Sequence, residues 1–207
     1  FTHTVKVATC HLCTNACRLT INTFSNGKRY MSGNRCERPV TNKSTDDQLN
    51  LYAWKMHEID RLGIWADGPI PEDAIAIPLA LNMFELIFFW KAFFESLGKR
   101  VVISPPSNRQ LYLLGQATIP SDTVCFPAKL AHGHIQQLLD WGARTIFYPC
   151  MTYNLDEKLG DNHFNCPVVA YYPEVIAANM EDIAHVNFIK CHVGLHRKDD
   201  LSAKLAI

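Results

Sequence analysis

The chain has 207 residues, a formal charge of zero from 20 basic and 20 acidic residues, and 48% apolar residues. This length and apolar content suffice for one sizeable domain plus a small module. The balanced charge, without a block of one sign, argues against nucleic-acid binding and predicts an ordinary soluble surface. The most apolar region, residues 74–94, is interrupted by Asn82, Glu85 and Lys91, so no membrane span is predicted.

The eight cysteines are the most informative part of the composition. Four fall within residues 10–36 and the other four stand singly. No signal peptide precedes them, so the sequence predicts a cytoplasmic location, where clustered cysteines bind metal more often than they form disulfides. The chain does not begin with methionine, and we expect it to be a piece of a longer protein.

Residues 1–40 are predicted to form a small metal-binding β-hairpin module. Residues 18–24 alternate like a strand, residues 25–27 form a turn and residues 28–31 return as a second strand. Four thiolates suit tetrahedral zinc or an iron–sulfur cluster, and bound metal would supply folding energy that so short a segment lacks. Free thiols or two disulfides are the alternative. The four cysteines at the open end of the hairpin are Cys10, Cys13, Cys17 and Cys36.

Residues 41–73 are predicted to form a helix and a linker. Apolar residues recur at helical spacing after Ser44 and Asp46, which are candidate N-caps, and the helix is expected to end near Gly63. The glycine and prolines of residues 68–71 then mark the linker.

Residues 74–207 are predicted to form an α/β domain with a parallel sheet. The short apolar run at residues 74–80 is typical of a strand buried on both faces. A helix follows, with Asn82 as its cap and Glu85 placed to close a capping box. The next strand, at residues 100–104, completes a right-handed βαβ unit. The many aromatic residues of this helix predict either deep burial or a face that a partner covers.

Two single cysteines fall where α/β sheets place their sites. Cys125 lies just before a helix that has Pro127 in its first turn and ends near Gly142, and a helix N-terminus favours a thiolate. Cys150 follows a strand at residues 145–148, and ligands bind at the carboxyl ends of such strands. We therefore expect Cys125 and Cys150 to be two ligands of a metal or iron–sulfur site.

The remaining candidate ligands are weaker. Cys166 precedes residues 167–171, which we interpret as a strand, so it would open a strand and lie away from the carboxyl edge. Cys191 follows the last predicted strand and is either a ligand at that edge or a buried thiol. His132 and His134 point to different faces of one helix, so we expect each to be an ordinary satisfied histidine.

Several strings of the sequence together resemble one family. They are similar to the dehydratase-like region of the large activase-related proteins of anaerobic bacteria. Those proteins join an ATP-using activase of the 2-hydroxyglutaryl-CoA dehydratase and benzoyl-CoA reductase type to a part resembling the dehydratase component. The resemblance runs from about Cys10 to Met180. The strings that carry it are residues 10–19, 33–38, 121–129, 133–135, 147–150 and 161–167.

The resemblance implies a Rossmann-like or flavodoxin-like open parallel sheet that forms one half of a two-domain unit. In the related dehydratases, cysteines from two consecutive α/β domains hold one 4Fe-4S cluster. The matching positions are Cys125 and Cys150, with Cys166 as a further candidate and a third ligand expected beyond Ile207. Leu79 departs from the family, which usually has an arginine there. The phosphate loops of the ATPase part are absent from this sequence, so the chain itself is not expected to bind ATP.

Two functional hypotheses stay open. In the first, Cys125 and Cys150 bind an iron–sulfur cluster that passes one electron from an ATP-hydrolysing activase domain to a CoA thioester or another acceptor. The chain would then be part of a 2-hydroxyacyl-CoA dehydratase-like or reductase-like system and inactive alone. In the second, the four N-terminal cysteines hold zinc in a structural docking module. A free-standing hydrolase is disfavoured because the sequence has no nucleophile elbow.

Overall fold

A computed structural model describes residues 2–42 and 50–206 of the chain. The chain divides into two compact units, Phe1–Trp54 and Lys55–Ile207. The predicted caps Ser44 and Asp46 lie outside the described residues. Among the residues described, no helix has the length and apolar content needed to cross a membrane.

The first unit contains a three-stranded antiparallel sheet. Its strands are β1 (His3–Thr9), β2 (Arg18–Phe24) and β3 (Arg29–Ser32), in the order β1-β2-β3. Thr9 pairs with Arg18 and Thr20 pairs with Ser32. The end of β1, the start of β2 and the end of β3 therefore lie side by side at one end of the sheet. A short helix, α1 (Arg38–Thr41), follows.

The second unit is organised around a four-stranded parallel sheet. Its strands are β4 (Ala74–Ile77), β5 (Arg100–Ile103), β6 (Thr145–Phe147) and β8 (Asn187–Ile189). Their order is β5-β4-β6-β8, so the chain moves first to one side of β4 and then to the other. All four residues of β4 are buried, as expected for a strand covered on both faces. The reversal at β4 forms the kind of crevice at the carboxyl ends of the strands where open α/β sheets bind ligands.

Six further helices belong to the described part of the chain. The predicted helices ending near Gly63 and near Gly142 are confirmed, as is the helix predicted to follow Asn82. Each is followed by a glycine with positive φ, Gly63, Gly142 and Gly98 respectively, and such a glycine is a common helix stop. The helices are α2 (Leu51–Asp60), α3 (Met83–Ser96), α4 (Arg109–Gly115), α5 (Phe126–Asp140), α6 (Pro167–Asn179) and α7 (Lys198–Leu205).

The N-terminus of α3 lacks the predicted capping box. Asn82 has helical backbone angles, φ −66° and ψ −17°, and its side chain makes no capping hydrogen bond. An N-cap side chain reaches the first turn from an extended conformation, which Asn82 does not adopt. Glu85 instead forms an ion pair with Lys55.

The aromatic residues of α3 divide between two environments. Trp90 is fully buried, and its ring lies 4.6 Å from that of Phe147 in an edge-on arrangement that favours aromatic packing. Phe88 and Phe89 are 39% and 40% exposed. Deep burial therefore applies to one face of the helix only.

The stretch after Cys166 is helix α6 and not the predicted strand. Val168 and Val169 favour a strand by propensity, but Pro167 at the first helical position is already fixed in a helical φ. Ala170, Pro173 and Ile176 are buried three residues apart, which is helical spacing. Packing of this face overrides the local propensity.

The strand that ends before Cys150 is confirmed, but a second strand begins at Cys150 itself. This strand, β7 (Cys150–Tyr153), pairs in parallel with β9 (His192–Gly194). Backbone hydrogen bonds join the two pairs of strands, from the Tyr148 N–H to the Ile189 carbonyl (3.0 Å) and from the Cys150 N–H to the Cys191 carbonyl (3.0 Å). The β7–β9 pair therefore extends the β6–β8 pair beyond the carboxyl edge of the main sheet.

Helices α4 and α5 approach each other at backbone contact. A Cβ atom at Gly133 would lie 1.9 Å from the Leu111 carbonyl oxygen, and one at Gly115 would lie 2.2 Å from the Gly133 nitrogen. Both contacts are with backbone, which cannot swing away as a side chain can. Glycine at these two positions is therefore a packing requirement for the position of α5.

We expect Gly133→Ala to lower the free energy of unfolding by about 1–3 kcal/mol or more, because the added methyl group overpacks the α4–α5 contact. Urea denaturation measures this change. The matched control is Gly68→Ala, since a Cβ at Gly68 meets nothing within 4 Å. Equal stability of the two variants would contradict the close approach.

Candidate functional site

Cys125 and Cys166 occupy equivalent positions at the N-termini of α5 and α6. Both have extended N-cap backbone, with φ −62° and ψ 152° or 155°, and both helices have proline in the first turn. Both thiols are exposed. Because α5 leads back to β6 and α6 leads back towards β8, both N-termini lie near the carboxyl edge of the sheet. The unpaired N–H groups of a helix N-terminus point toward the place of each thiol.

The placement of Cys166 is better for a ligand than the sequence suggested. Its Sγ accepts a hydrogen bond from the Val169 N–H at 3.5 Å, which is a capping contact in the first turn of α6. A thiolate accepts such a bond more strongly than a thiol does. The predicted disadvantage of Cys166, its place at the start of a strand, does not apply.

Cys150 is fully buried beside Glu174. Burial, followed by the charge of Glu174, raises the pKa of the Cys150 thiol to about 11. Cys150 therefore remains protonated at neutral pH until a cation displaces the proton.

The buried phenol of Tyr148 lies within the electrostatic reach of both predicted ligands. Its pKa is raised first by burial and then by the negative charges that Tyr172, Cys150 and Cys125 carry when ionised. Its hydroxyl group has no hydrogen-bond partner in the part of the chain that the structure describes. A neutral phenol is a hydrogen-bond donor, and a buried donor without an acceptor is uncommon in folded proteins. Tyr148 is thus a buried donor without a partner among the described residues.

His134 is a satisfied core histidine, as expected. Its Nδ1 lies 2.6 Å from the Ser104 hydroxyl and its Nε2 lies 2.8 Å from the Ser107 hydroxyl. The Ser104 hydroxyl also accepts a hydrogen bond from the Leu79 N–H at 2.8 Å. Leu79 follows β4 and Ser104 follows β5, so both lie at the carboxyl edge of the sheet. The hydrogen bonds of His134 therefore connect α5 to this edge.

His132 joins α5 to α6. Its Nδ1 lies 2.8 Å from the Thr118 hydroxyl and its Nε2 lies 3.0 Å from the Tyr172 hydroxyl. Both ring nitrogens of His132 therefore have protein partners, and His132 is a structural residue. The bond to Tyr172 fixes α6 relative to α5 and so relates the positions of Cys166 and Cys125.

The four N-terminal cysteines lie near one end of the β1-β2-β3 sheet. Cys10 and Cys17 close the β1–β2 connection through a hydrogen bond from the Cys10 N–H to the Cys17 carbonyl at 2.8 Å, and Cys36 follows β3. All eight cysteines of the chain are free thiols. The described residues hold one group of three potential metal ligands within 4.8 Å of one another, and it lies in the second unit. The four-thiolate site of Cys10, Cys13, Cys17 and Cys36 stays a prediction.

The group of three potential metal ligands in the second unit consists of Cys150, Glu174 and His192. Glu174 and His192 were not predicted as ligands from the sequence, because neither lies in a spaced ligand motif. They meet Cys150 through the parallel pairing of Cys150 with His192 and the packing of α6 on β7. The detectable signal was the position of His192, directly after a strand and Cys191.

The fold and the site define an α/β protein with cysteines gathered near the carboxyl edge of an open parallel sheet. The CoA enzyme activase uncharacterised domain matches residues 74–207, which is more than half of the chain, and the chain belongs to this family. The predicted relationship to activase-related proteins is thereby confirmed. The matched region includes Cys125, Cys150 and Cys166. Comparison with curated proteins and with solved structures finds no match.

Acid should weaken the core through the two buried histidines. Burial lowers the pKa of His132 to about 4 and of His134 to about 3, from an ordinary value of 6.5. The folded state therefore binds fewer protons, and stability is lost as the pH falls below 6.5 towards these values. We expect the free energy of unfolding to fall by up to about 1.4 kcal/mol per pH unit for each histidine.

Urea denaturation between about pH 7 and pH 5 measures the effect of these histidines on stability, because most carboxyl groups stay ionised over this range. His134→Gln keeps a donor and an acceptor but does not titrate, so its stability should depend less on pH. The control His57→Gln replaces an exposed histidine and should keep the wild-type slope. A wild-type stability that does not change over this range would refute the expectation.

Removing the Tyr148 hydroxyl should stabilise the metal-free protein. Tyr148→Phe retains the buried ring but removes a hydroxyl donor that lacks a partner. An unpaired buried donor destabilises a folded protein by about 1–3 kcal/mol, and the substitution removes this cost. The control is Tyr172→Phe, which removes a hydroxyl that is bonded to His132 and should destabilise. Thermal unfolding of both variants tests this contrast, and a destabilised Tyr148→Phe protein would show that the hydroxyl has an acceptor.

Proposed function

We propose that the α/β unit carries part of a 4Fe-4S site that accepts an electron from an ATP-hydrolysing activase domain and passes it to a CoA thioester or a similar acceptor. The observation that best supports this proposal is the placement of both cysteines at the carboxyl edge of the parallel sheet, with Cys125 at the N-terminus of α5 and Cys150 just beyond the end of β6. Ligands bind at this edge in open α/β sheets. The family match supplies the connection to CoA enzyme activases.

The donor set fits an iron–sulfur cluster. Cys125 and Cys166 present exposed thiols at two helix N-termini, where negative charge is favoured. Cys150 provides a buried thiol, and the Tyr148 hydroxyl is free to donate a hydrogen bond to a thiolate or sulfide. Hydrogen bonds to sulfur and exclusion of water are the means by which proteins adjust such clusters.

Each residue has a distinct role in this proposal. Cys125 and Cys150 bind iron, Cys166 is a further ligand, and an additional ligand comes from the second half of the unit or from another chain. When bound, the cluster supplies a one-electron carrier whose potential depends on ligand charge, hydrogen bonding and burial. Trp90 and Phe147, both buried, belong to the core that holds β6 in position and excludes water from its interior.

The strand order is compatible with the finer fold assignment that this function requires. The order β5-β4-β6-β8 follows the beginning of the flavodoxin-like order, in which ligands bind where the direction of the order reverses. We propose that this sheet is one half of a two-domain unit of flavodoxin-like or Rossmann-like type, with the cluster site on its carboxyl edge.

The test is iron and sulfide analysis of protein that is purified and reconstituted without oxygen. We expect bound iron and sulfide to be lost in Cys125→Ala and in Cys150→Ala but retained in Cys13→Ala, which removes an exposed thiol from the first unit. Cys125→Ala is the sharper variant, because its thiol is exposed and its removal leaves the core intact. Iron content that does not respond to Cys125→Ala would exclude this site.

Tyr148→Phe provides a second measurement on the loaded protein. Loss of a hydrogen bond to sulfur should shift the reduction potential to a more negative value, since such bonds stabilise the added negative charge. Spectroscopic redox titration measures this shift. An unchanged potential would place the phenol outside the cluster environment.

The chain order, which puts Cys10 after β1, Cys17 before β2 and Cys36 after β3, supports a second candidate function, in which the first unit is a zinc-stabilised docking module. Zinc without iron, lost in Cys13→Ala and retained in Cys125→Ala, is the result that this alternative requires.

A further inference from the structure

Cys150, Glu174 and His192 come together from three elements of the second unit. Cys150 begins β7, His192 begins β9, and the two are direct partners in the parallel register, so their side chains leave the same face of this small sheet. Glu174 lies on α6, which packs against β7. A thiol, a carboxylate and an imidazole therefore converge through the tertiary fold and not through a local motif.

Their geometry is close to that of a single metal site. One ligand atom from each residue lies within 4.8 Å of the other two, and the His192 Nε2 lies 3.3 Å from the Glu174 Oε1. Ligands on one tetrahedral zinc ion, with bonds of about 2.0–2.3 Å, are about 3.3–3.8 Å apart. Movements of about 1 Å, which side-chain rotation supplies, would bring all three onto one ion.

We propose that Cys150, Glu174 and His192 bind a single zinc ion and leave a fourth coordination position open. Sulfur, nitrogen and oxygen ligands together suit zinc, and three protein ligands with one open position are the arrangement of catalytic zinc sites. The open position would hold a water molecule or a carbonyl oxygen, which zinc polarises as a Lewis acid.

The group of Cys150, Glu174 and His192 has one buried side and one side that faces solvent. The thiol of Cys150 is buried, whereas the side chains of Glu174 and His192 are 42% and 49% exposed. An ion bound here would be anchored in the protein and face solvent on the other side, where its open position is accessible. Lys190 forms an ion pair with the other carboxylate oxygen of Glu174, which orients the carboxylate as outer residues do in metal sites.

This zinc site does not depend on the proposed iron–sulfur site, although Cys150 is common to both. Cys150 would be a ligand of whichever metal is present, so its variants alone do not tell the two sites apart. Glu174 and His192 serve only the zinc site, and Cys125 serves only the cluster. Variants of these residues separate the two proposals.

The experiment is a zinc titration of the chelator-treated protein, followed by the nitrogen NMR signals of the histidine rings. We expect zinc to shift the signals of His192 and not those of His185, an exposed histidine ahead of β8. This readout is specific, because zinc bound by the cysteines of the first unit would leave His192 unchanged. Cobalt in place of zinc should give a thiolate charge-transfer absorption that is absent in Cys150→Ser.

Ligand variants complete the test. Glu174→Gln and His192→Ala should each weaken zinc binding at this site about tenfold or more. Their matched controls, Glu181→Gln and His185→Ala, should bind as the wild type does. All four positions lie outside the buried core, so the result does not depend on whether Cys150→Ser folds.

Zinc that leaves the His192 signals in place, or affinity that is unchanged in Glu174→Gln and His192→Ala, would overturn the proposal. Glu174, Lys190 and His192 would then form a surface ion-pair network without a metal role. Iron content that does not depend on Cys125 would remove the cluster proposal and leave the zinc result standing.

Discussion

Two uncharged imidazoles in the core determine where the cysteine-bearing helices lie. His134 bonds to Ser104 and Ser107 and so attaches α5 to the loop after β5. His132 bonds to Tyr172 and so attaches α6 to α5. A neutral ring donates at one nitrogen and accepts at the other, and the hydroxyl partners of both histidines can serve both roles. Burial keeps both rings neutral by lowering their pKa, and the separation of Cys125 from Cys166 depends on this pair.

The extension of the sheet by β7 and β9 gives Cys150 its particular environment. The backbone N–H groups of Tyr148 and Cys150 bond to the same neighbouring strand segment, and Pro149 stands between them. The backbone nitrogen of Pro149 points away from that segment, towards the side of the sheet on which β4 lies. Because β4 has already ended at Ile77, a proline at this position removes no hydrogen bond between strands. The chain can therefore continue past the edge of the main sheet. Cys150 and His192 are held beyond that edge as neighbours.

The sequence was most informative where a pattern is local. The buried apolar strand β4, the helix stop at Gly142 and the N-terminal position of Cys125 each follow from a few adjacent residues. Cys166 was misplaced because Val168 and Val169 suggested a strand, while the burial spacing of Ala170, Pro173 and Ile176 is visible only over the longer segment. Strand β1 was not predicted, although its residues alternate from His3 to Thr9.

The convergence of Cys150, Glu174 and His192 could not be predicted from the sequence. It requires the register of β7 with β9 and the face of α6 that meets them, and no local pattern encodes either. The unpaired Tyr148 hydroxyl is a similar case, because only a three-dimensional structure shows that a buried polar atom lacks an acceptor. Single residues could be proposed from the sequence, but their combination into sites depends on the tertiary fold.

The burial of Cys150 also determines which thiols of the second unit are oxidised first. A thiol must ionise to react with peroxide or a disulfide, and Cys150, with its pKa raised to about 11, is almost entirely unreactive at neutral pH. Cys125 and Cys166 are exposed at helix N-termini, where an oxidant can reach them. Oxidation would therefore begin at the helix ends, at a stage that cellular reductants can reverse, while the buried sulfur is preserved. The thiol that a reductant could reach least easily is thus also the one that is least open to oxidation.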